Sequence, residues 1–536
     1  MPYKPFYTIL LITHFFGMGV LYGQTIPPIT NEITLPEGIP SDRVVLLQSN
    51  RWLNTSNPAS IGIKTMPQTG LTQIGTSYAT GNLKRVQESG RITDWHFKSN
   101  SYKSLKNLNV WGNFEFRQQR HSERHYADMP FPFNGNPFIA GSDIKSSYSH
   151  QIFDFDVKIS SLKLFEKLYS GLGVQYTLGD FSRLQDPRSR DQYIDFSITP
   201  GLIIEINPRN HFGANFKYRY RKDKSNTYVI KSQFTPDEKF SLFLQEGLGV
   251  YEKKIATYFD RRIKGNYLGG EIQYEYCSDN FSLLSAFNIL HRKDLIEDKS
   301  QASPGDYINS ALGAFIKGEL KNGTVSTNIF NILFNADIGE SDKFIQQLQS
   351  VTDPESGITT SHYETVIIIP SFKNHEIKSS INWTFYKLNN DSYKWFSGIE
   401  AGYHIFSSDY IGYSPPSSLS LSKINSSLFG GYEIFRKERR SLNINTLAGY
   451  LFTPSSNISI SSELPSNRQI IYNQVIIPDY EIATDNIVKF CLSANYIFPL
   501  TKNTNTDGIF TILYRQYLSG SLNRYYLGIS FGLLIK

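Results

Sequence analysis

The chain has 536 residues, a length that at roughly 150 residues per domain would make three or four soluble units. Lys and Arg number 54 against 48 Asp and Glu, a net +6, too slight an excess for a dedicated nucleic-acid binder, whose basic residues cluster. Two Cys and a mean hydropathy of −0.32 exclude a disulfide scaffold, a four-Cys zinc site and a bundle of transmembrane helices.

Residues 1–23 read as a secretory signal peptide, with Lys4 ahead of an apolar run from Ile9 to Val20 and the small Gly23 at a cleavage position. Residues 24–70 follow. They lack any period and carry six prolines, Pro27, Pro28, Pro36, Pro40, Pro58 and Pro67, too many for strands.

From residue 71 onward the dominant period is two, the signature of strands with unlike faces. Phe153, Phe155, Val157 and Ile159 interleave with Asp154, Asp156, Lys158 and Ser160, and Phe212, Ala214, Phe216, Tyr218 and Tyr220 with Lys217, Arg219 and Arg221. Alternation predicts eighteen strands near 71–86, 91–103, 107–121, 147–161, 168–182, 192–206, 211–223, 266–278, 281–293, 309–320, 324–338, 373–388, 395–408, 422–436, 441–453, 486–499, 509–518 and 523–535. The stretches 71–86, 324–338 and 509–518 alternate weakly, so fourteen or sixteen strands fit as well. The segment 239–258 has room for a helix or an extra hairpin. Many segments run longer than the 5–6 residues usual for soluble strands and match the roughly 9–11 of a tilted membrane-crossing one. Short connections follow the even strands. Long ones (122–146, 224–265, 294–308, 339–372, 409–421, 454–485) follow the odd strands, which is the rim asymmetry of an outer-membrane barrel. The expected fold is all-β: a transmembrane antiparallel up-and-down β-barrel with its long loops extracellular, in the cell outer membrane.

Within the proline-rich segment, Arg51-Trp52-Leu53-Asn54-Thr55-Ser56-Asn57-Pro58-Ala59-Ser60 contains an Asn-Pro-Ala element that resembles the N-terminal hatch of FadL/TodX-type outer-membrane transporters of hydrophobic compounds. At the other end, Gly528-x-x-Phe531-x-Leu533 resembles the C-terminal signal by which such barrels are inserted, with Lys536 in place of an aromatic end. The first resemblance implies that residues 24–70 fold into the lumen and gate it, with Arg51, Trp52, Asn57, Pro58 and Ala59 as the hatch residues.

Lipid cannot solvate charge, so the polar face must line the lumen. The inward set is Glu115, Arg117, Asp154, Asp156, Lys158, Lys217, Arg219, Lys317, Glu319, Glu271, Glu275, Lys378, Glu400, His404 and Lys489. Opposite charges on neighbouring strands predict bracing pairs: Lys217 and Arg219 against Glu271 and Glu275, and Glu115 and Arg117 against Asp154, Asp156 and Lys158. These charges suit polar rather than fatty solutes, and their overall balance predicts little ion selectivity.

No enzyme is expected. Gly528-Ile529-Ser530-Phe531-Gly532 matches a nucleophile-elbow pattern, but it lies inside a strand four residues from the end, where no strand-to-helix turn can form. His121 and His125 have the i, i+4 spacing of a metal pair without the H-E-x-x-H order. Cys277 and Cys491 fall on distant strands. The sequence therefore predicts no catalytic residues, no metal and no cofactor. The expected function is passive passage of small solutes through a polar, partly plugged lumen. The alternative is a partner subunit in a larger outer-membrane assembly. Lipid and other outer-membrane proteins are the expected partners, without nucleic acid.

Overall fold

The computed structural model describes residues 44, 50–63, 69–230, 239–298, 302–352, 354–356, 358–389, 392–500 and 506–535. The expected signal peptide lies outside them, as does most of 24–49.

The strands are β1 (Thr69–Gly81), β2 (Arg91–Ser104), β3 (Leu108–Arg124), β4 (Ile139–Gly141), β5 (Ser146–Ser161), β6 (Leu168–Arg183), β7 (Arg188–Asn207), β8 (Asn210–Tyr228), β9 (Phe240–Gly247), β10 (Val250–Ala256), β11 (Tyr258–Cys277), β12 (Phe281–Asp298), β13 (Ala302–Asn322), β14 (Ser326–Thr352), β15 (Thr359–Asn389), β16 (Ser392–Tyr410), β17 (Ser417–Lys437), β18 (Arg440–Ser459), β19 (Ile487–Pro499), β20 (Thr506–Ser519) and β21 (Leu522–Ile535). Eighteen of them form one antiparallel sheet in which each strand pairs with its neighbours in sequence. The ring closes where β1 pairs with β21, Gly70 opposite Ile535 and Gly81 opposite Arg524. Closure leaves no edge, the only way a sheet can satisfy its backbone in lipid. Each of the eighteen expected strands has its counterpart, including the three weakly alternating ones.

β4, β9 and β10 form a separate three-stranded sheet within the loops, so 239–258 holds an extra hairpin. Two long loops expected from the sequence are instead largely strand. Residues 294–308 complete β12 and β13, and 339–372 continue β14 and β15 as a two-stranded ribbon whose pairing runs out to Thr352–Thr359. Alternation fails there because both faces of the ribbon meet solvent, so no face selects for apolar residues. Tight turns at 105–107, 208–209, 278–280, 323–325 and 438–439 share one rim with the start of β1 and the end of β21. The other rim carries 125–145, 229–257 and 460–486.

Polarity is inverted relative to a soluble protein. On β11 the outward Leu268 and Ile272 are each 52% exposed, while the inward Gln273 is 1% exposed and Glu275 3%. The same reversal runs round the ring, with Phe153, Leu202, Phe216, Phe287, Ile399 and Leu428 outside and Asp156, Arg221, Arg292, Lys317, Glu319 and Glu376 inside. An apolar belt of that extent would drive aggregation in water and is stable against lipid. This is a membrane-spanning barrel of the outer membrane.

The belt makes a positional prediction. Phe287→Lys, on the lipid face of β12, destabilises the barrel by roughly 2–4 kcal/mol when near the bilayer midplane. Asn288→Lys, one residue further along and inward, costs less than about 1 kcal/mol on the same scale. Urea unfolding in phospholipid vesicles compares the two.

Candidate functional site

The inner wall is occupied at both ends. At the short-turn end lie residues 50–63, which hold a 3-10 turn Arg51–Asn54 and a short α-helix Ser60–Ile63. Arg51 carries the attachment. Its Nε and Nη2 donate to Glu275 Oε1 at 3.1 and 2.9 Å, and Nη1 donates to Glu319 Oε2 at 2.7 Å. Trp52 Nε1 donates to the other oxygen of Glu275 at 2.6 Å, and His211 Nδ1 lies 3.2 Å from it. All these charges are buried, so each depends on its partners for solvation. The guanidinium fork serves two carboxylates on different strands, which a lysine could not do with the same geometry.

Asn57 explains the Asn-Pro-Ala element. Its Oδ1 accepts the N–H of Ala59 at 3.0 Å, an Asx turn that Pro58 reinforces by fixing its own φ. Its Nδ2 reaches the wall, donating to Leu202 O at 3.0 Å, Ala214 O at 3.2 Å and Gln273 Oε1 at 3.0 Å. The wall is hollowed to receive this turn. A Cβ at Gly171 would lie 2.4 Å from Ala59 N, one at Gly201 2.2 Å from Asn57 Oδ1, and one at Gly213 3.0 Å from the Trp52 ring. These glycines face inward on β6, β7 and β8, next to each other in the sheet. They are a signal that sequence reading passes over, because a glycine interrupts alternation without announcing what fills its place. Further round the ring, Val44 packs with Ile329, Tyr386, Tyr393 and Phe396. The rest of the 24–49 portion of the expected hatch lies outside the described residues.

The loop end is covered by folded-in loops with their own apolar core. Tyr126, Phe243, Leu248, Val250 and Tyr251 from two loops meet Leu464, Ile471, Val475 and Ile476 from a third and Phe372, Phe406, Tyr410 and Leu421 from the wall. Polar ties add to this. Arg292 Nη1 donates to Asn134 O at 2.6 Å, Asn136 Nδ2 to Asp294 Oδ2 at 3.0 Å, and Lys343 Nζ to Glu246 at 2.8 Å. In the α-helix Ile477–Thr484, the buried Asp479 accepts the Val86 N–H at 2.6 Å. Burial pushes its carboxyl up to about 7, against the pull of Arg85.

The expected lumen residues lie on the same inner wall. Glu115, Arg117, Asp154, Asp156, Lys158, Lys217, Arg219, Glu271, Glu275, Glu400 and His404 sit on inward positions of their strands. Their partners differ from the expected ladders. Arg219 stands opposite Ser197 and Tyr267 and binds Asp195 through Nε at 2.7 Å, while Glu271 accepts the Ser56 N–H of the plug at 3.2 Å. Glu115 faces the like-charged Asp154 across β3 and β5 and takes Lys98 and Arg117 instead, at 3.6 and 3.3 Å. Asp154 turns to Thr177 at 2.6 Å. Alternation fixes which face a residue occupies but not the stagger between strands, and stagger decides the pairs. His404 Nε2 lies 2.8 Å from Glu376 Oε1. Cys277 and Cys491 are not in a disulfide, and Arg51 Nη2 donates to the Cys277 sulfur at 3.2 Å. His121 lies 3.0 Å from Ser89 Oγ and 3.2 Å from Gln119 Oε1. The His125 ring is pushed down to about 4, chiefly by burial and by Lys84 and Lys145.

Two predictions concern the ends. Gly201→Val unseats the plug, so proteinase K cuts within 50–63 of the folded barrel in detergent, while the lipid-facing Leu202→Val leaves the segment protected. At the lid, the docked helix holds a proton more tightly than an open loop, whose Asp479 would ionise at the ordinary 3.8. Docking therefore gains stability as pH falls from about 7 toward 4 and loses it as pH rises through about 7. Protease cleavage of 460–486 should be slower at pH 5.5 than at pH 8.5, and Asp479→Asn should remove the difference.

Among solved structures, the barrel is similar to the RagAB peptide importer in its closed-closed state (TM-score 0.40, 5% identity, covering 88% of this chain and 87% of that one). It is similar also to the outer membrane transporter YddB from Escherichia coli (TM-score 0.38, 7% identity, 88% and 81%) and to a mutant of the TodX monoaromatic hydrocarbon channel (TM-score 0.28, 11% identity, 89% and 92%). The barrel assignment rests on the strand pairing described above, not on these likenesses. No curated protein matches the sequence. The match that spans nearly the whole described barrel, residues 58–535, is to a family of unknown function, DUF6850, and the chain belongs to that family.

Proposed function

We propose that this protein is an outer-membrane channel for small polar solutes, closed at the short-turn end by residues 50–63 and at the outer end by the folded loops. The observation that carries this reading is the attachment of Arg51 to Glu275 and Glu319. A wall built only to be rigid has no need to be hollowed by glycines and then filled by a segment held through buried ion pairs. A plug that must seat and unseat needs both, because its contacts are polar and are replaceable by water when it leaves. Selection is then physical: lumen polarity and the width left beside plug and lid decide what passes, with no chemical step.

A second reading, a partner subunit of a larger assembly, draws on the β14–β15 ribbon. Ile345, Leu348, Ile367 and Ile368 are 43–58% exposed on it, beyond the last pairing of β15 with β16 at Phe372–Tyr410.

Planar-bilayer recording separates the two. The full chain should conduct rarely, and deletion of 50–63 or Arg51→Met should give discrete steps at least several-fold more frequent. Silence in all forms, with a second barrel co-purifying until residues 344–368 are deleted, would replace the channel reading with the subunit one.

A further inference from the structure

Lys423 stands on an inward position of β17, 2% exposed, and its Nζ has no hydrogen-bond partner among the described residues. An enclosed ammonium is costly unless an acceptor meets it. The carboxylate nearest along the wall is already engaged. His404, opposite Lys423 on β16, lies 2.8 Å from Glu376 Oε1, and Lys378 Nζ lies 2.7 Å from the same oxygen. The charge that acts on Lys423 is a second cation, Arg85, which pairs with Glu88. The strand pair is also irregular at this rung: β17 and β18 change register, so that Lys423 faces both Thr453 and Pro454. Bulges of this kind re-aim a side chain and gather beside functional sites. Further along the same two strands, Asn425 Oδ1, Ser427 Oγ and Glu400 Oε2 are likewise enclosed and without a partner among the described residues. Glu400 stands opposite Ser427, and Gly402, which adds no side chain, opposite Asn425. The other Glu400 oxygen accepts the Asn425 amide at 3.4 Å, and the charge of Lys489 acts on Glu400 from β19. Apolar clusters bound this polar band, with Phe406 and Leu421 of the lid core at one end and Phe396 of the Val44 cluster at the other. The band thus offers an ammonium at one end, and a carboxylate with two uncharged acceptors at the other. Four residues of strand separate the two ends, about 13 Å at 3.3–3.4 Å per residue.

We infer that this band binds a zwitterionic solute, a short peptide of two to four residues, with its carboxylate on Lys423 and its ammonium on Glu400. Charge-assisted hydrogen bonds at both ends fix direction as well as affinity. Asn425 Oδ1 and Ser427 Oγ, lying between the ends and beside Glu400, accept from N–H groups of the peptide. Extended peptide advances about 3.4 Å per residue, so a few residues span the gap once the Lys and Glu side chains reach along the wall. The inference deepens the channel reading, on which it rests, by naming the solute class. It also gives the balanced lumen a means of selection, since a solute carrying both charges satisfies both ends and a singly charged one leaves one end unmet.

Equilibrium dialysis of the full chain in detergent tests it, with triglycine as the probe and N-acetyltriglycine and triglycinamide as forms blocked at one end. One site per chain should take triglycine at least tenfold more tightly than either blocked form. Lys423→Met, with heat-modifiable migration confirming the folded barrel, should bind triglycine and triglycinamide alike and still reject the acetylated form. Glu400→Gln should show the opposite pattern, accepting the acetylated form and rejecting the amide. The lipid-facing Ile399→Val should keep the parent's order. A variant that merely loosens the wall would weaken all three probes together, so that outcome overturns the assignment. Equal binding of the three probes by the parent, or no saturable binding of any, overturns it as well. So does a folded Lys423→Met that still rejects the amide. Should a variant fail to fold, the parent's preference for triglycine over both blocked forms sustains the inference, and its absence ends it. Triglycine binding by a chain that stays electrically silent without 50–63 would defeat the channel and leave the site. Conductance with no preference among the probes would do the reverse.

Discussion

Every feature of this molecule follows from one constraint: a strand that crosses lipid meets hydrocarbon on one face and water on the other, and its backbone has no solvent to fall back on. The backbone requirement forces the ring to close, which β1 and β21 accomplish over twelve paired positions. The side-chain requirement forces alternation, and with it a belt of Ile, Leu and Phe outside and a crowd of Arg, Lys, Asp and Glu within. A ring of this size is too wide for its own side chains to fill. The inside must therefore hold water, loops or an added segment, and the chain supplies the last two: three loops at one mouth and residues 50–63 at the other.

The interior then becomes a problem of satisfying buried charge, solved locally and differently around the ring. Where the plug sits, wall carboxylates Glu275 and Glu319 find their cation on the plug itself. Where it does not, wall residues pair among themselves, as Arg219 does with Asp195 and Arg261 with Asp298. Net charge for the whole chain conceals this division of labour, because it sums over regions that never meet.

How much of this the sequence discloses depends on which physical rule writes it. Strand number and facing were legible, because lipid punishes every misplaced charge and so imprints a strict period of two on residues such as Phe153 to Ser160. The turn at Asn57-Pro58-Ala59 was legible, because its chemistry is local. Ion pairs were not: Arg219 was expected on Glu271 or Glu275 and lies on Asp195, since inter-strand stagger leaves no trace in alternation. The seat of the plug was hidden too. Gly171, Gly201 and Gly213 are thirty and twelve residues apart in sequence and become neighbours only in the sheet. The β14–β15 ribbon was read as a loop because beyond the membrane no apolar phase is left to enforce a pattern.

The three seat glycines have outward neighbours of a different kind: Leu172, Leu202 and Phe212, each 42–49% exposed on the lipid side. Adjacent positions on one strand thus answer to separate selective demands, one set by the hydrocarbon and the other by the docked turn. A descendant could reshape its stopper, or dispense with it, by changing every second residue over a short stretch, while the anchorage in the bilayer stayed as it was. Diversification of what such barrels admit needs no redesign of how they are held.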